Sequence, residues 1–125
     1  MRIDIAWWDL DASAQTIDTL RGHLADAAAV WGDVPGLRLK LWMADRDRNR
    51  WGAVMVWEES RPHDSALPPN RAAELIGYPP THRSRFEVEA AVEGLHALPT
   101  LHGLGPALTP ADPPPHTESS PCTST

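Results

Sequence analysis

Gly36-Leu37-Arg38-Leu39-Lys40-Leu41-Trp42-Met43 and Trp51-Gly52-Ala53-Val54-Met55-Val56-Trp57, separated by the polar stretch 44–50, set the architecture of this chain. Both runs alternate with period two, as side chains on a strand do, and Ala44-Asp45-Arg46-Asp47-Arg48-Asn49-Arg50 has the composition of a turn. The pair reads as a β-hairpin. On its first strand Leu37, Leu39, Leu41 and Met43 share one face, and Arg38, Lys40 and Trp42 share the other. With the leucine face packed on helices, the opposite side carries two cations and the indoles of Trp42, Trp51 and Trp57. A solvated surface has no need of those indoles, so that side reads as a binding surface or an interface.

The pattern continues on both sides of the hairpin. Residues 2–8 alternate, with Ile3, Ile5 and Trp7 on one face and Asp4, Ala6 and Trp8 on the other. Asp9 and Asp11 then offer helix caps. Over residues 12–31 the apolar positions Ile17, Leu20, Leu24, Ala27, Ala28 and Trp31 recur at helical spacing, which predicts one amphipathic helix ended by Asp33-Val34-Pro35-Gly36. Beyond Glu59 the prolines 62, 68 and 69 break the pattern, and Asn70 to Gly77 predicts a short capped helix. Residues 83–92 alternate again, with Phe86, Val88, Ala90 and Val92 opposite Arg85, Glu87 and Glu89. The order is β-α-β-β-α-β.

That order is the α+β, ferredoxin-like arrangement: a four-stranded antiparallel sheet with both helices on one face. Its second face is expected to carry Asp4, Trp8, Arg38, Lys40, Trp42, Trp51, Met55, Trp57, Arg85 and Glu87, too aromatic to remain in water. Two copies packed face to face would bury it, so a homodimer is expected.

Composition bounds the partners. Residues 1–94 are read as the folded domain and 95–125 as a Pro/Ser/Thr-rich disordered tail, because that segment has no aromatic residue and dense proline. All eleven Lys/Arg and fifteen of the seventeen Asp/Glu precede residue 100, a net charge of −4 there. Acids and bases are interspersed, which argues against nucleic acid. The single cysteine, Cys122, excludes an intramolecular disulfide and a cysteine-rich metal site. The start of the chain lacks a signal-peptide pattern and no segment has the apolar length of a membrane span, so the expectation is a cytoplasmic protein with no membrane partner.

The hairpin motif, Gly36-Leu37-Arg38-Leu39-Lys40-Leu41-Trp42 followed by Gly52-Ala53-Val54-Met55-Val56-Trp57-Glu58 and a last strand near Arg83, resembles the dimeric α/β-barrel superfamily, most closely small monooxygenase-like proteins of the YdhR type. The resemblance covers residues 2–94 and is strongest at Lys40-x-Trp42; it departs in the proline-broken second crossover. It implies a homodimer and a small enzyme that oxygenates an aromatic or polyketide-like substrate without a tightly bound cofactor. Other members are haem-degrading oxygenases and polyketide cyclases, so fold alone does not choose the chemistry.

The residues narrow the choice. Lys40 in a Trp-lined interior would hold an enolate, phenolate or carboxylate as a cation, or act as a base when neutral. Arg38 suits bidentate binding of an anion. Lys40 and His82, the latter as a proton shuttle at the pocket rim, are the catalytic candidates; Trp8, Arg38, Trp42, Met55, Trp57, Arg85 and Glu87 are the substrate-binding candidates. Salt bridges among Lys40, Arg38, Glu87 and Asp4 are the bland alternative. Trp7 and Trp31 are expected in the helix–sheet core. No two of His23, His63 and His82 have ligand spacing, so no metal is expected. Three classes of function stay open: an oxygenase or cyclase, a non-catalytic binder of a hydrophobic ligand, and an assembly protein whose tryptophan face serves only dimerisation.

Overall fold

The computed structural model describes residues 1–58, 67–95 and 105–108. Met1–Val92 forms one compact unit and Glu93–Thr125 a second. In the second, residues 105–108 make a turn closed by the Leu108 N–H donating to the Gly105 carbonyl at 3.0 Å. The rest of the expected tail, 96–104 and 109–125, lies outside the described residues.

The first unit runs β1 (Arg2–Asp9), α1 (Ile17–Arg21), α2 (Leu24–Trp31), β2 (Leu37–Asp45), β3 (Arg50–Trp57), α3 (Arg71–Ile76) and β4 (His82–Glu87). The strands form one sheet in the order β2-β3-β1-β4, every neighbouring pair antiparallel. This is an α+β architecture compatible with the ferredoxin-like class. Among the described residues no helix is long and apolar enough to cross a membrane.

Local chemistry explains the boundaries. The single helix expected over 12–31 is two. Gly22 and His23 donate to the carbonyls of Thr19 and Leu20 at 3.3 and 3.1 Å, the tight i to i+3 bonds that close a helix, before α2 begins. Thr16, not Asp9 or Asp11, caps α1, its side chain accepting from the Thr19 N–H at 3.1 Å. α3 matches its expected limits, with Asn70 accepting from the Ala73 N–H and Gly77 in the left-handed region at φ 100°. β4 ends at Glu87 instead of continuing to residue 92; only the Val88 N–H reaches on, to the Met1 carbonyl at 3.0 Å.

The period-two assignments hold along β1 and β3, but the side that receives the helices is the reverse of the expectation. Trp8, Trp51 and Trp57 are 4%, 3% and 0% exposed, and Trp57 packs with Trp31 of α2 and Val34. Trp42 and Met55 join that cluster. The face expected to be bare is therefore the helix-covered one. The other carries Ile3, Ile5, Trp7, Leu39, Leu41, Val54, Val56 and Phe86 and is left open by the described helices, with Leu41 44% and Phe86 57% exposed. Energetics favours this choice: each indole removes about 150–250 Å² from water on burial, more than a leucine does, so the tryptophan face gains most from the helices. A β-bulge adds a second correction. Leu37 pairs with Trp57 but Leu39 with Val56, so Leu37 joins the tryptophan side while Leu39 and Leu41 face the opposite way.

Candidate functional site

Across the helix-covered face the strand register aligns Lys40 of β2, Met55 of β3, Asp4 of β1 and Arg85 of β4 in one row. Trp42, Ala53, Ala6 and Arg83 form the next row, and Leu37, Trp57, Arg2 and Glu87 flank it on the other side. The end of α2 drops Trp31 onto Lys40.

The geometry around Lys40 is specific. Its Nζ lies 3.4 Å from the centroid of the Trp31 ring and 4.9 Å from that of Trp42. It makes no ion pair with any of the described residues. The expected partner Glu87 sits on the far edge strand, three strand spacings or roughly 14 Å away across the sheet, beyond the reach of a lysine. Burial lowers the Lys40 ammonium from 10.5 to about 7, while the two indole faces act in the opposite direction by attracting a cation. The result is an amine that exchanges its proton near neutrality.

The remaining charges here are arranged separately. Asp4 is a buried carboxylate, with Arg2 Nε 3.3 Å from its Oδ1. Trp57 Nε1 is fully enclosed and has no hydrogen-bond partner among the described residues.

Of the expected site residues, the fold brings together Lys40, Trp42, Met55 and Trp57. It separates His82. That imidazole is exposed on the open face, stacked on Trp7 at 4.0 Å with its Nε2 2.5 Å from Ser84 Oγ. Lys40 and His82 therefore lie on opposite faces of the sheet and cannot share a substrate. Trp7 correspondingly leaves the expected core position. Arg38 is a surface residue, its Nη1 2.6 Å from Glu58 Oε2 with both side chains more than half exposed. Trp8 is a structural clamp: its Nε1 donates to the Tyr78 carbonyl at 2.8 Å, and the Tyr78 hydroxyl donates back to the Asp9 carbonyl. Arg85 and Glu87 are exposed on the β4 edge, beside Asp4 and Arg2 in register. His63 lies outside the described residues.

Two contributors were not assigned to the site from sequence. Trp31 read as core because it closes the apolar stripe of its helix, and it is core; its ring also covers Lys40. Arg2 carried no motif, and only its pairing opposite Trp57 places it here. Comparison with protein-family models and with curated proteins finds no match to this sequence.

Proposed function

We propose that this chain is a dimeric α/β-barrel protein of ferredoxin-like βαββαβ topology, and that its sheet–helix interior is the active site of a small oxygenase acting on an aromatic or polyketide-like molecule. The observation that carries the reading is Lys40: an amine with a pKa of about 7, covered by two indoles and with no carboxylate beside it among the described residues. A lysine kept for stability alone would be paired or exposed, since burying an unpaired ammonium is costly. Perturbed, unpaired titratable groups of this kind concentrate at functional sites.

In this reading the neutral Lys40 amine removes a proton from an acidic phenol or activated methylene, and Trp31 and Trp42 present flat surfaces on which an aromatic ring stacks. The resulting electron-rich anion itself reduces dioxygen. One oxygen atom enters the substrate as a carbonyl in place of two hydrogens, the other leaves as water, and the substrate supplies the electrons. Dimerisation is supported by the open face, whose Leu41, Phe86, Ile3, Ile5, Val54 and Val56 form a continuous apolar surface of the kind that a second copy buries.

The test is oxygen uptake with 1,8-dihydroxy-9-anthrone, followed by mass analysis of the product. The reading expects enzyme-dependent consumption of dioxygen and a product that has gained one oxygen and lost two hydrogens, both abolished in Lys40→Met. Rearranged product without oxygen uptake would assign the same base to a cyclase. Binding without turnover would leave a non-catalytic carrier.

A further inference from the structure

Two donors of the interior around Lys40 face no acceptor among the described residues. Trp57 is 0% exposed, and its Nε1, which can only donate, has no partner among the described residues. Trp8, nearly as deeply buried, has its Nε1 satisfied by the Tyr78 carbonyl at 2.8 Å. Among the described residues, then, one buried indole has an acceptor and the other has none. Lys40 Nζ, in the same tryptophan cluster, faces two rings and no carboxylate among the described residues.

We propose that Trp57 Nε1 and Lys40 Nζ jointly bind an oxygen anion carried by a planar aromatic ligand, which makes Trp57 the residue that selects an ionised oxygen over a neutral one. This rests on the reading of the Lys40 interior as a ligand site and adds the chemical class of its ligand. Entry is from the β2 side, because β2 is an edge strand and Lys40, Trp42 and Met55 are only half-buried, with Trp57 deeper. In the reaction proposed above, the proton taken by Lys40 leaves an ammonium beside the new oxyanion, and Trp57 supplies the second, uncharged donor.

Isothermal titration of the full chain with 2-naphthoate and with 2-naphthalenemethanol, a neutral molecule on the same ring, tests this at neutral pH. 4-Nitrophenolate at mildly alkaline pH separates a phenolate preference from a carboxylate one. The wild type should bind an anionic probe at least about tenfold more tightly than the alcohol, as a charge-assisted pair of donors requires. Trp57→Phe, which keeps an aromatic ring but removes the N–H, should erase most of that preference while leaving the affinity for the alcohol nearly unchanged. Lys40→Met should do the same, and it carries the test if Trp57→Phe does not fold. Equal affinity for anion and alcohol, or a preference that survives both substitutions, would overturn the assignment and leave the ligand site standing. Failure of every probe to bind would overturn both.

Discussion

Replacing Lys40 by Met should make the protein more stable and less functional at the same time. Burial moves the Lys40 ammonium from 10.5 to about 7. At about 1.36 kcal/mol per pH unit, that displacement corresponds to a penalty of at most roughly 5 kcal/mol at or below neutral pH. The attraction of Trp31 and Trp42 for a cation offsets about 1–2 kcal/mol of it, and partial solvent access to a half-buried side chain lowers it further. Methionine fills a similar volume with no charge to desolvate, so a net gain of about 2–3 kcal/mol is expected, or at least about 8 °C in Tm for a domain of this size. The pH dependence identifies the cause. Because the folded pKa lies below the unfolded one, the unfolded chain holds the extra proton between about 7 and 10.5, and wild-type stability rises with pH through that window relative to the variant. Urea unfolding of both proteins at a series of pH values measures this directly. A Lys40→Met protein destabilised by more than about 1 kcal/mol, or a gain independent of pH, would refute the picture of an unpaired, desolvated amine.

Three further outcomes follow from the same geometry. Leu41→Asp, on the open face, should leave the subunit folded by circular dichroism but halve the mass found by light scattering, since Leu41 is 44% exposed in the single chain. Gly52→Ala should cost at least about 2 kcal/mol in chemical denaturation, because a methyl there would sit 2.8 Å from Trp7 Cβ and run into the Ala6 carbonyl where β1 and β3 approach. Arg38→Ala should change stability by no more than about 1 kcal/mol and leave ligand affinity unaltered, as its exposed pair with Glu58 implies.

The strands of this chain were legible because alternation is a local property: Lys40 and Trp42 had to share a face, as did Asp4 and Trp8. Which face would take the helices was not local. It depended on the summed burial of Trp8, Trp51 and Trp57 against that of the leucines and isoleucines, a comparison between whole surfaces that no single strand displays. Leu37 was misassigned because a bulge leaves no mark in the leucine pattern itself. Gly22 escaped notice inside an apolar repeat that runs across it. The candidate site was half visible. Lys40, Trp42, Met55 and Trp57 were found from their shared side of the hairpin, whereas His82 was joined to them only by proximity to a strand end, and its register opposite Trp7 places it on the other surface.

The claim that the sheet–helix interior is a ligand site is most directly tested by the indole N–H resonances of the six tryptophans, with Trp57 assigned by its absence from Trp57→Phe. The free protein should show Trp57 without the signature of a hydrogen bond and Trp8 with it. Addition of 2-naphthoate should move the Trp57 resonance downfield, in the direction of a newly made hydrogen bond, and leave that of Trp8 in place. A bound ligand that shifts only Trp7, on the open face, with Trp57 unmoved, would contradict the account.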